Sequence, residues 1–67
     1  MLIRVCNEER HWRVMHPDRP ESLSFHDGTV AFDFADAMAR TLHEQTGQAC
    51  AVRVEVSEAY VDTVCYG

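Results

Sequence analysis

Residues 27–47, DGTVAFDFADAMARTLHEQTG, decide the fold of this chain. Val30, Ala31, Phe34, Ala35, Met38 and Leu42 recur at the three- and four-residue spacing that puts side chains on one helix face. Asp27 or Thr29 suits the N-cap, where a short side-chain oxygen accepts an otherwise unpaired backbone N–H. Gly47 suits the stop, because a left-handed residue costs least when it is glycine. Asp33 and Asp36 near the start and His43 near the end agree with the helix dipole. Asp36 and Arg40 form an i,i+4 pair.

The sequence on either side is β-like. Leu2 to Asn7 alternates, with Ile3 and Val5 on one face and Leu2, Arg4 and Cys6 on the other. Asn7-Glu8-Glu9-Arg10 reads as a polar turn, and His11 to His16 as the returning strand with Trp12 and Val14 inward. Pro17 to Ser22 is a loop, since its two prolines remove backbone donors and disfavour helix at the residues before them. Leu23-Ser24-Phe25 extends briefly, and Phe25 is placed to pack back on the first helical turn. After the helix, Ala51 to Ser57 carries the cleanest alternation in the chain, Val52-Arg53-Val54-Glu55-Val56. Ser57-Glu58-Ala59 is a tight connection without the usual glycine. Tyr60 to Tyr66 closes the fold. Its period groups Tyr60, Val64 and Tyr66 on one face and Val61, Thr63 and Cys65 on the other, and leaves open which face meets the helix.

The expectation is a single α+β domain over residues 1–67, in the order β-β-α-β-β, with one helix packed on a mainly antiparallel four-stranded sheet. Sixty-seven residues give one thin core, so a partner subunit would add useful burial. Composition, 46% hydrophobic and 25% charged, is that of a folded globular protein. Met1-Leu2-Ile3-Arg4 does not read as a secretory leader, and no run approaches the ~20 apolar residues of a membrane span. Three cysteines, an odd number, fit a reduced, cytoplasmic protein better than a disulfide framework.

The formal net charge is −5, and every basic side chain is an arginine. An acidic chain lacks the electrostatic footprint of a nucleic-acid binder. Cys6, Cys50 and Cys65 stand too far apart for a zinc-ligand spacing, and His11 and His16 fall on opposite faces of a strand, so no metal or cofactor is expected. No cysteine has a sequence-adjacent base to make it a nucleophile. His26-Asp27-Gly28 resembles an anion-binding helix start, but an aspartate at that position repels phosphate and caps the helix instead. No catalytic residue is expected.

The face of the sheet away from the helix is expected to mix apolar and arginine side chains: Arg4, Arg13, Met15, Arg53, Tyr60 and Tyr66. Aromatic residues and arginine are enriched at protein interfaces. The leading expectation is therefore a non-enzymatic interaction module that self-associates as a homodimer through sheet edges or this face. A second reading is an acidic regulator that occupies a basic, nucleic-acid-binding surface on another protein. A third is a weak nucleic-acid binder that uses the sheet arginines with aromatic stacking.

The order of motifs is similar to that of a family of small uncharacterised bacterial domains. Trp12-Arg13-Val14, Phe25, the alanines at 31, 35, 37 and 39, Gly47, Val52-Arg53-Val54 and the terminal Tyr66-Gly67 carry the resemblance across nearly the whole chain. Ser57-Glu58-Ala59 departs from it, where a glycine-containing turn is expected. The resemblance implies the same α+β fold and names no activity, cofactor or site residue.

Overall fold

The computed structural model describes residues 1–67. The elements are β1 (Leu2–Glu8), β2 (His11–Met15), β3 (Ser22–Phe25), α1 (Gly28–Thr46), β4 (Cys50–Val56) and β5 (Ala59–Tyr66). They form one helix on a five-stranded mixed sheet of order β3-β2-β1-β4-β5. The α+β class and the single helix agree with the sequence reading; the strand count and sheet type need correction. Ser22–Phe25 is a full third strand, paired antiparallel to β2 with Leu23 opposite Val14 and Phe25 opposite Trp12. The sheet is mixed because β1 and β4 run parallel, Ile3 opposite Val52 and Val5 opposite Val54. The helix is the crossover that a parallel pairing requires. β2 already occupies one side of β1, so the returning chain pairs with the other.

The helix ends fall where the sequence places them. The Asp27 side chain accepts a hydrogen bond from the Thr29 N–H at 2.8 Å. Gly47 is left-handed at φ 73°, and its N–H donates to the His43 carbonyl. Both hairpin turns carry glutamate where glycine is cheaper: Glu9 has φ 55° and Glu58 has φ 60°.

The helix face toward the sheet differs from the expected stripe. Ala31, Ala35 and Ala39 are fully buried, whereas Val30 and Phe34 are exposed. Three alanines four residues apart let the helix backbone lie close to the strands, and this rotates the larger residues outward. Beneath the alanines lie Ile3, Val5, Val14, Cys50 and Val52, all on the three central strands. Trp12 lies flush against Gly28 at the start of α1. The edge strands are barely covered: Leu23 on β3 is 50% exposed and Val61 on β5 is 60% exposed.

A bulge in β5 settles the face left open by the sequence. Val52 is opposite Val64, but Arg53 is opposite Asp62, so Thr63 is the additional residue. Its hydroxyl donates to the Val52 carbonyl at 3.0 Å. A bulge inserts one residue and flips the alternation beyond it. Tyr66, Val64 and Val61 therefore share the helix side, while Tyr60 lies on the open side. The two tyrosines do not share a face, contrary to the period-two reading.

Candidate interaction surfaces

Two surfaces carry functional character. The first is the open sheet face. It brings together Arg4, Arg13, Met15, Arg53 and Tyr60, because the pairings Arg4 with Met15, Cys6 with Arg13, Arg4 with Arg53 and Glu55 with Tyr60 put these side chains on one side. Tyr66 is excluded and points to the helix side. There its hydroxyl donates to Asp36 Oδ1, and Arg40 Nη2 donates to the tyrosine oxygen at 3.5 Å.

Each arginine of the open face is matched by an acid. Arg4 makes a two-pronged contact with Glu55, Nε to Oε1 at 2.7 Å and Nη2 to Oε2 at 2.8 Å. Arg53 Nε donates to Asp62 Oδ1 at 2.9 Å, and its guanidinium stacks 4.2 Å from the centre of the Tyr60 ring. Arg13 donates to Ser22 Oγ at 2.8 Å and to Glu8 at 3.2 Å. The hydrogen bond from Arg4 holds the Glu55 carboxyl below its usual range. The face is thus a charge-balanced lattice rather than a basic patch.

Burial, reinforced by the Glu55 carboxylate, pushes the Cys6 thiol up, which keeps it protonated and a poor nucleophile. Cys50 is buried under α1 and Cys65 is exposed. Cys6 and Cys65 lie on strands separated by β4. No three His, Cys, Asp or Glu side chains converge on a point that would hold a metal ion. His11 and His26 stand side by side, ring centres 5.3 Å apart.

The second surface is the flank of α1 above β3. At 100° per residue, Phe34, Met38, Thr41 and Gln45 line the side of the helix above β3, and none is charged. Val30 and Ala37 lie toward the back of the helix, in one row with Glu44 and beside Asp33, and Asp36, Arg40 and His43 lie on the far side. Phe34 is 38% exposed and Val30 51%. Phe34 packs on Phe25 with ring centres 5.5 Å apart, which continues the apolar wall down to the strand. Val14, Leu23, Phe34 and Met38 line one groove here together with the polar His16, Arg19, Glu21 and Ser22, and Phe34, Ala37, Met38, Thr41 and Leu42 line another along the helix. Sequence reasoning placed Val30 and Phe34 in the core. The available signal was the width of the apolar stripe, broader than a helix needs when its contact line is made of alanine.

The corresponding position over β5 is built differently. The Asp36–Arg40–Tyr66 network spans from helix to strand there, with Arg40 and Asp36 3.4 Å apart. The hydrogen bond that Arg40 donates to the Tyr66 oxygen, then the charges of Tyr66 and Asp36, raise the Arg40 pKa. The β5 edge also carries the bulge and the Arg53–Asp62 ion pair, two devices that discourage edge pairing. β3 has neither a charge nor a bulge.

No helix is long and apolar enough to cross a membrane. The chain defines a one-helix, five-strand α+β domain. It matches no family model, no curated protein and no solved structure.

Proposed function

We propose that this chain is a non-enzymatic protein-interaction module of the bacterial cytoplasm that docks through the uncharged flank of α1 and the adjoining edge of β3. The observation that carries the reading is the sorting of charge on α1. In a chain of net charge −5, the strip of α1 holding Phe34, Met38, Thr41 and Gln45 bears none, and it stands over an edge strand that carries no charged residue. Contiguous exposed apolar area of this kind marks interaction sites on soluble proteins. The open sheet face takes a lesser place, because its arginines are already engaged with Glu8, Glu55 and Asp62.

The test is affinity capture with quantitative mass spectrometry, comparing the wild type with Leu23→Glu, Phe34→Glu and, as a control on the other edge, Val61→Glu. A protein retained by wild type and Val61→Glu but lost from both other variants supports the reading. Equal retention by all four overturns it.

The acidic-regulator reading retains one observation, the exposed Asp33 and Glu44 on the back of α1. It requires binding to a basic partner that weakens steeply with salt. The nucleic-acid reading loses support from the paired arginines. A failure to shift single-stranded DNA or RNA at low salt removes it.

A further inference from the structure

We infer that the β2–β3 loop and the open sheet face beneath it form a binding site for a phosphate monoester. Its floor lies on the sheet face opposite α1, so the site stands independently of the docking reading.

The strand register builds the site. At one end of the sheet a cavity of about 250 Å³ opens between Arg4 on β1, Arg13 on β2, Ser22 on β3, and His16 and Arg19 on the loop. Leu2 and Met15 supply its apolar floor, and no carboxylate lines it. Three of the six arginines of a −5 chain thus meet at one concavity. The acids that pair with Arg4 and Arg13 lie on their far side. Glu55 stands level with Cys6 and Glu8 with His11, up the strands, whereas the cavity is bounded by Leu2, Met15 and Ser22 at the other end. Of the loop's own acids, Glu21 lines the groove over β3 and Asp18 lines neither.

Donors remain after the internal bonds are counted. A guanidinium carries five N–H groups. Arg4 uses Nε and Nη2 on Glu55, which leaves both N–H groups of Nη1. The Ser22 oxygen accepts two bonds from Arg13, so its own hydrogen is left to donate. The Asp18 N–H donates to His16 Nδ1 at 3.0 Å, which leaves the ring proton on Nε2. Arg19 is the uncommitted cation, since the four ion pairs of the chain belong to Arg4, Arg13, Arg40 and Arg53. The loop is also preset. Pro17 and Pro20 fix their own backbone angles, and the Arg19 N–H closes a turn on the His16 carbonyl at 3.4 Å. A site ordered before binding loses less when its ligand arrives.

The ligand class follows from the directions of these donors. They come from three neighbouring strands and from the loop above them. A carboxylate or a nucleic-acid phosphodiester offers two charged oxygens, whereas a phosphate monoester offers three, splayed about phosphorus. Guanidinium groups match phosphate with paired N–H donors. Leu2, Met15, Pro17 and Pro20 suit the organic part of the ester.

Titration of isotopically labelled protein with phenyl phosphate at constant ionic strength, followed by nuclear magnetic resonance through the arginine Nε–H and backbone N–H signals, tests the inference. Benzoate is the comparison, since it keeps the ring and exchanges phosphate for carboxylate. The expected result is a saturable shift centred on Arg4, Arg13, Arg19 and residues 16–22, with benzoate bound about fivefold more weakly or worse. Arg19→Gln should weaken phenyl phosphate about fivefold or more, as one lost hydrogen bond does. Arg10→Gln, at the other arginine without an ion pair, should leave it unchanged. The amide spectrum of each variant verifies that it folds. Shifts that do not saturate, benzoate binding as tight as that of phenyl phosphate, or an Arg19→Gln variant that binds as Arg10→Gln does, each overturns the site. Capture with Leu23→Glu and Phe34→Glu reads the docking surface separately, so either conclusion can fail alone.

Discussion

Replacing Gly28 by alanine should destabilise this protein, although alanine is the better helix former. Gly28 is the first residue of α1, and the Trp12 indole lies across it. A Cβ at position 28 would sit 2.7 Å from Trp12 Cε2 and 2.9 Å from Cζ2. Carbon atoms in contact prefer about 3.5–4.0 Å, so the overlap is about 0.8 Å or more. Trp12 cannot yield as the tip of a flexible chain could, because its ring is broad and its strand is paired on both sides. Overpacking of this kind costs about 1–3 kcal/mol. Against it, glycine to alanine within a helix gains at most about 1 kcal/mol. The net loss is about 1–2 kcal/mol, or roughly 5–15 °C in Tm for a domain of this size. Thermal and urea unfolding followed by far-ultraviolet circular dichroism measures it, at one fixed protein concentration because association would shift the midpoint. The Trp12→Leu background supplies the control. Without the indole, Gly28→Ala should become neutral or stabilising, giving a coupling of about 1 kcal/mol or more. A higher Tm for Gly28→Ala in the wild-type background, or the same cost in both backgrounds, refutes the reasoning.

Three further outcomes are expected. Glu9→Gly and Glu58→Gly should each raise Tm by a few degrees in calorimetry, since a left-handed non-glycine residue costs about 1–2 kcal/mol and the added freedom of the unfolded chain returns only part of that; a fall in Tm would show that the turns are not strained. Ala35→Leu should cost about 1–3 kcal/mol in urea unfolding because it lifts the helix from the sheet, whereas Ala37→Leu on the exposed flank should be near neutral; equal effects would mean the helix is rotated from the arrangement described. Arg4 lowers the Glu55 pKa in the folded state, so their contact stabilises the protein above the ordinary carboxylate range and is lost as pH falls through and below it. Glu55→Gln should therefore flatten the acid limb of stability against pH between about 5 and 3, and an unchanged limb would exclude this pair as a contributor.

Much of the fold was legible in the chain because its signals are local. The caps at Asp27 and Gly47, the alternation read over Leu2 to Asn7 and Ala51 to Ser57, and the two tight turns each depend on residues within one or two turns of chain. β3 was harder to read, because Ser22–Phe25 has only four residues, two of them serine, and becomes a strand only when β2 offers it an edge. The interaction surface was half visible. The sequence shows an apolar stripe on α1, but not that the alanines would claim the contact with the sheet.

By itself, then, the amino-acid order determined one helix of defined ends, its charged and uncharged sides, and most of the strands around it, since these follow from propensity, capping and periodicity along the chain. Only the tertiary structure decided the parallel pairing of β1 with β4, the bulge at Thr63 that parts Tyr60 from Tyr66, and the partnering of Arg4, Arg13 and Arg53 with acids. It also decided that Phe34 and Val30 face outward. Each of these depends on which distant residue arrives opposite, and on how closely two backbones approach, and neither quantity is written into any short stretch of sequence.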